Sequence, residues 1–239
     1  MPLALLGVVV GVCIGSFIAA LTLRWPAGRA LGGRSRCEAC ARQLAWYELV
    51  PLVSYLVLRG RCRSCGAAIG VRQLAIEAAG GVIGGLSLFW LGAPGIAVAG
   101  LGWALLTLLV LDAEHFWLPD RITWPLAAAG LVFAAPPLPD RIAGLIAGYA
   151  SLTLIALAYR WRTGRDGLGG GDAKLLAAIG AWLGWQPLPW VVLAAALLGL
   201  VVVLANWCRG QLPTATTRLP LGTLLALAAW PIALMFPLA

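Results

Sequence analysis

Charge is what this 239-residue chain has least of: 11% of its residues are charged, 17 Lys+Arg against 9 Asp+Glu. A soluble domain carries about a quarter. With 62% hydrophobic residues, far more apolar surface exists than one interior can bury, which excludes a soluble enzyme and a disordered chain. Histidine is almost missing, with His115 alone, and no His-Glu-x-x-His is present to hold catalytic zinc. Six cysteines do not make a secreted disulfide scaffold of this length. Glycine-rich loops of dinucleotide or P-loop spacing are absent. The net charge of +8 is scattered between apolar runs rather than lining one face, so a nucleic-acid partner is excluded. No internal repeat is visible, which disfavours an inverted-repeat transporter.

What is present is long apolar runs, 30 Gly and 12 Trp, a composition expected of spanning helices with aromatic interfacial belts. Crossing roughly 30 Å of hydrocarbon takes about 20 apolar residues. The candidate spans are 3–23, 74–91, 96–111, 122–135, 142–159, 173–185, 188–207 and 220–238. The first run lacks the basic opening of a secretory signal and exceeds a signal's apolar core, so it reads as a spanning helix. Spans 122–135 and 173–185 are short and also suit re-entrant or core segments. With the N-terminus outside and all eight runs crossing, the inner segments 24–73, 112–121, 160–174 and 208–219 hold 16 of the 17 basic residues, and only Arg141 lies outside. Omitting 173–185 would export Arg209 and Arg218, against the positive-inside bias. The expected fold is an all-α polytopic membrane protein of about eight transmembrane helices. Both termini are then periplasmic. Gly80, Gly81, Gly84 and Gly85, then Gly144 and Gly148, then Gly180 and Gly184 have the spacing that lets helix backbones pack closely.

The one long polar insert, 24–73, contains Cys37-Glu38-Ala39-Cys40 and Cys62-Arg63-Ser64-Cys65. Each CxxC turn can offer two thiolates, and two turns complete a tetrahedral structural zinc site. Disulfides are disfavoured in a reducing cytosol, whereas thiol exchange stays open as an alternative. Cys13 and Cys208 read as small buried residues.

Ionisable groups at membrane depth are functional candidates. Asp112 closes the third apolar run, and Asp172 opens the sixth after Gly169, Gly170 and Gly171. Both are expected at the inner membrane face. Two carboxyls sharing a site cannot both ionise cheaply, which is the aspartic-protease arrangement. The glycines before Asp172 would admit a substrate backbone. Three other readings remain: Asp172 as a helix cap, the two acids as a proton relay, and Asp112, Glu114, His115 and Asp120 as a metal site or solvated loop.

Taken together, these motifs resemble the type IV prepilin leader peptidases, membrane aspartic proteases of which many bacterial members also N-methylate their product. The resemblance is carried by Gly15-Ser16-Phe17, the paired CxxC turns, Trp46-Tyr47-Glu48, Pro51-Leu52, Arg59-Gly60-Arg61, Asp112 with Leu118-Pro119-Asp120, Gly169 to Leu175, and Pro220-Leu221-Gly222. It implies Asp112 and Asp172 as catalytic aspartates, Asp112 being preferred to Asp120 because it stands seven residues before Pro119. It further implies zinc at Cys37, Cys40, Cys62 and Cys65, S-adenosylmethionine as methyl donor, and prepilins or type II pseudopilins as substrates in a bacterial inner membrane. Ala19 replaces the family's usual Asn, and Glu114 stands where relatives often have Asp. The expected organisation is a first transmembrane helix at 1–23, a cytoplasmic zinc module at 24–73 and a catalytic bundle at 74–239. The alternatives are cleavage without methylation, a proton-coupled transporter and an assembly factor.

Overall fold

Proline at position 2 pre-sets the first helical turn, and no charged residue interrupts the run that follows until Arg24. A computed structural model of the chain describes residues 1–30, 32–165, 167–210 and 219–236. Helix α1 is Pro2–Arg24, and a 3₁₀ turn, Trp46–Leu49, precedes the short helix α2, Val53–Val57. Then come α3 (Val71–Leu91), α4 (Gly95–His115), α5 (Asp120–Phe133), α6 (Leu138–Thr163), α7 (Gly170–Leu183), α8 (Leu188–Cys208) and α9 (Leu221–Met235). Extended pairing among the described residues is limited to the isolated bridges Arg36–Gln43 and Arg61–Ala68. The fold is all-α, and its apolar helices make it a multi-pass membrane protein.

The eight long helices match the eight apolar runs, but they are not equally long. Five of them, α1, α3, α4, α6 and α8, are long and apolar enough to cross a bilayer. Among the described residues the expected count of about eight is therefore met by five full-length spans, the other three helices being shorter. At 1.5 Å per residue, α5 and α7, with 14 residues each, and α9, with 15, reach only about 21–23 Å. The runs behind α5 and α7 were already short in the sequence, and α7 stops where Gly184, at φ 78°, takes a backbone conformation that a side chain resists. Residues 211–218, including Arg218, and the end of the 220–238 run lie outside the described residues.

The described residues divide into two compact units, Met1–Ala99 and Gly100–Ala239. In the first, α1 packs against α3 through glycines. A Cβ on Gly7 would run into the carbonyl of Gly84, and one on Gly11 into that of Gly80. Arg72 at the start of α3 donates to the Ala19 carbonyl at 3.1 Å and to Thr22 Oγ1 at 2.8 Å, tying the polar ends of the two helices together. In the second unit α7 is the centre. Every residue from Asp172 to Leu183 is buried except Lys174. Gly144 of α6 and Gly180 of α7 allow those backbones to meet, Gly130 of α5 faces Ala181 and Trp182, and Trp182 Nε1 donates to the Leu126 carbonyl at 2.8 Å.

Lipid explains the rest of the surface. Large apolar side chains of α1, α6 and α8 are exposed along their length, and exposed tryptophans sit at helix ends: Trp90, Trp124, Trp161, Trp190 and Trp207. That is the interfacial distribution expected of Trp. Cys13 and Cys208 are exposed, contrary to the sequence expectation, because an apolar residue of a membrane helix can face lipid as readily as a neighbouring helix.

Candidate active site and metal centre

Four thiols gather in the first unit. Cys37 and Cys40 come from one tight turn and Cys62 and Cys65 from another, and all four Sγ atoms lie within 4.8 Å of one another. The two turns are built alike. Cys37 N–H donates to the Arg42 carbonyl and Ala41 N–H to the Cys37 carbonyl; Cys62 N–H donates to Ala67 and Gly66 N–H to Cys62, all at 2.8–2.9 Å. Each turn needs a left-handed residue directly after its second cysteine, supplied by Ala41 at φ 57° and Gly66 at φ 68°. Four thiolates about 2.3 Å from one ion stand roughly 3.8 Å apart, and Cys37 Sγ to Cys65 Sγ is 3.8 Å. Backbone N–H groups of Cys65 and Ser64 hold the Cys62 thiol down to about 6, while the neighbouring thiols and burial push Cys65 up to about 11, so one thiolate forms readily and the crowding of the others is what a cation would relieve. The cluster can hold a metal ion.

Beside it, Glu48 is fixed by the Ala45 N–H at 2.8 Å and the Arg42 guanidinium at 2.6 Å, which together hold its carboxyl below the usual range. Glu77 is a site that sequence reasoning missed. It is 4% exposed, its Oε2 accepts the Leu52 N–H and its Oε1 accepts Gln73 Nε2, both at 2.8 Å. The missed signal was an acid inside an apolar run.

In the second unit the two acids singled out from sequence converge. Asp112 is three residues from the end of α4 and 5% exposed; Asp172 is the third residue of α7 and 9% exposed. Both meet the first turn of α9, where N–H groups have no partner within the helix. Thr223 N–H donates to Asp112 Oδ2 at 2.7 Å, and the Thr223 hydroxyl lies 3.0 Å from the same oxygen and 3.3 Å from the Leu109 carbonyl, the nearer carboxylate oxygen being the better acceptor for its one proton. The preceding N–H, of Gly222, is directed at the Asp172 carboxyl, as is that of Gly169, the N-cap of α7. Asp172 thus reaches back to its own helix cap while sharing the α9 terminus with Asp112. Asp172 is the third residue of α7 rather than its cap, which is Gly169.

Glycines and Leu118 set the spacing. A Cβ on Gly222 would lie 3.0 Å from Asp112 Oδ2 and 2.8 Å from Leu118 Cδ1, and one on Gly171 would lie 3.0 Å from Leu118 Cβ. Leu118 therefore wedges between the glycine turn before α7 and the α9 terminus. Gly169 stands over Asp172 Oδ2, whereas Gly170 has open space around it. Asp120 is turned elsewhere, with Lys174 Nζ at 2.7 and 2.9 Å from its two oxygens. Glu114, His115, Asp120 and Asp112 do not converge as metal ligands among the described residues. Thr223 was not singled out from sequence, since a threonine after Pro-Leu-Gly carries no charge to mark it.

Comparison with known proteins accords with this layout. A profile described as "Bacterial Peptidase A24 N-terminal domain" matches residues 9–91, and one described as "Type IV leader peptidase family" matches residues 99–204. A relative from Aeromonas salmonicida is 38% identical over 215 residues, covering 85% of this chain and 71% of the relative. The chain belongs to the type IV leader peptidase family. Further members from Pseudomonas aeruginosa (39% identity, 84% of this chain, 71% of the relative) and Burkholderia pseudomallei strain K96243 (43%, 81% and 64%) align similarly. All three relatives are named prepilin leader peptidase/N-methyltransferase. The chain spans 64% of the length of the Burkholderia relative. No solved structure matches. Within the family match, the cysteine cluster falls in the first profile, and Asp112 and Asp172 both fall in the second.

Proposed function

We propose that this chain is an aspartic endopeptidase of the inner membrane that removes the basic leader of type IV prepilins or type II pseudopilins at the cytoplasmic face. The observation that carries the reading is the meeting of two buried acids, Asp112 and Asp172, at one helix N-terminus. A pair of this kind shares one proton. Thr223 presents two donors to Asp112 Oδ2, so that oxygen acts as an acceptor and the proton resides on the remaining oxygens. The ionised carboxyl removes a proton from water as the water attacks the scissile carbonyl. The protonated carboxyl hydrogen-bonds the carbonyl oxygen and later protonates the leaving amine. Gly169, Gly170 and Gly171 form the approach loop for the substrate backbone, a role supported by the open space at Gly170.

With the three shorter helices α5, α7 and α9 crossing as well, the orientation that puts both acids on the cytoplasmic side, with both termini periplasmic, rests on the positive-inside distribution of arginine and lysine. Zinc is the metal proposed for Cys37, Cys40, Cys62 and Cys65. Four thiolates at the observed spacing suit it, and its part is to fold a module with little core of its own. N-methylation of the new N-terminus, with S-adenosylmethionine as donor, rests on the relatives' names. In the cavity of the cysteine module, lined by Tyr47, Ser54 and Arg63 beside Val50, Val53, Val57 and Leu58, the one acid, Glu48, is already engaged by Arg42 and the Ala45 N–H, so no carboxylate is left there to hold the ribose hydroxyls of an adenosine.

Asp112→Asn and Asp172→Asn, each assayed on purified prepilin in liposomes, are expected to lose cleavage by about a thousandfold while keeping the melting temperature. Wild-type rates from either folded variant would remove the pair from the mechanism. Labelled methyl transfer from S-adenosylmethionine tests the second activity. Cleavage without incorporation would limit the enzyme to proteolysis.

A further inference from the structure

Residues 46–58 combine three features that neither the metal cluster nor the acid pair uses. The first is exposed apolar surface: Trp46, Leu49, Val50, Val53, Leu56 and Val57 are all exposed, Trp46 at 80% and Val57 at 75%. In a cytosolic module such a patch would be costly and adhesive.

The second feature is where the segment is held. Leu52 sits at φ 58°, ψ −50°, a conformation that β-carbon-bearing residues resist. Its turn is closed by the Val53 N–H to the Pro51 carbonyl at 2.6 Å, and its own N–H is taken by Glu77. Glu77 is six residues into α3, about 9 Å along a helix long enough to span the bilayer. The strained turn therefore fastens α2 beside the first turns of a helix long and apolar enough to cross a membrane.

The third feature is charge and a cavity. Residues 24–73 carry nine arginines and two glutamates, and Glu48 is consumed by Arg42. Arg59, Arg61 and Arg63 are exposed. A cavity of about 500 Å³ has walls that include Val50, Val53, Val57 and Leu58, and Arg63 lines it too. The Arg63 guanidinium is steadied by Tyr47, Nη1 donating to the phenol oxygen at 3.1 Å, with the guanidinium carbon 5.8 Å from the ring centroid.

We propose that residues 46–58 are a lipid-binding surface that seats the cysteine module in the bilayer interface, the cavity accepting an acyl chain and Arg63 the phosphate of an anionic phospholipid. Apolar side chains buried at the headgroup boundary, flanked by arginine, are the physical requirement for such seating.

The test uses the full chain in phosphatidylcholine nanodiscs with or without phosphatidylglycerol. Benzoylphenylalanine is placed at Val57, at Leu56 or, for comparison, at Glu38 in the first cysteine turn, and photoadducts are identified by mass. Retained metal content certifies the fold, and Leu56 serves if the Val57 variant loses its metal. Expected are phospholipid adducts from positions 56 and 57, none from 38, and enrichment of phosphatidylglycerol above its share of the lipid. Arg63→Gln should lower that enrichment by about fivefold without abolishing lipid adducts. Adducts with a second copy of the chain, absence of lipid adducts in metal-retaining protein, or uptake of phosphatidylglycerol at no more than its share would each overturn the proposal. Loss of protease activity in the Asp112 or Asp172 variants leaves these adducts unchanged, so the two readings fail separately.

Discussion

Thr223 shows how a residue with no sequence mark can govern a charged pair. Its N–H and hydroxyl both end on one oxygen of Asp112, so removing the hydroxyl leaves half of that support. Hydrogen bonds to charged groups contribute about 1.5–3 kcal/mol. Thr223→Val, which keeps shape and backbone, should therefore lower kcat/KM for prepilin cleavage at least about tenfold, whereas Thr223→Ser should stay near wild type. Equal activity of Val and Ser would show that the N–H alone suffices. Asp112 and Asp172 were legible because charge at the edge of an apolar run is rare and costly. Threonine is not costly there, and its partner lies 111 positions away, so nothing local reveals it. Glu77 was legible in principle by the same cost argument, but only its hydrogen bonds to Leu52 and Gln73 give it a purpose.

At the scale of elements, the glycine spacing was informative and the helix lengths were not. In lipid, helices gain little by burying apolar surface against one another, so close backbone contact and van der Waals fit carry the association. Gly11 against Gly80 and Gly144 against Gly180 are such contacts. Gly11→Ala or Gly180→Ala forces a Cβ into a neighbouring carbonyl and should cost about 1–3 kcal/mol, seen as a lower melting temperature in detergent. Gly100→Ala, with no atom within 4 Å of its added carbon, should leave that temperature unchanged, and an equal loss there would refute close packing as the cause. The sequence marked the runs that became α5 and α7 as short, but it carried the α7 run through Gly184 and Trp185, where the backbone has already turned. Hydropathy reports the solvent a residue prefers; it does not report where a helix stops.

For the molecule as a whole, the metal cluster and the membrane helices draw on different sources of stability. The cysteine turns have few buried apolar side chains around them, Cys62 being the buried hydrophobic of the set, so the ion proposed for them would supply much of their folding free energy. The α1–α3 pair is held by glycine contacts and by Arg72. Chelation should accordingly strip hydrogen-exchange protection from residues 35–69 and leave it in α1 and α3. Simultaneous loss in both would mean that the module and the helices fold as one. Sequence by itself determined the solvent class, the all-α architecture, the two cysteine turns and the identity of the two conspicuous acids, because hydropathy, turn chemistry and charge cost are summed over a few neighbouring residues. Only the tertiary structure decided that Asp112 and Asp172 share the first turn of α9 and that Glu77 clasps a strained turn of the module. Those partners are far apart in the chain, and which buried polar group satisfies which is settled only when the helices pack.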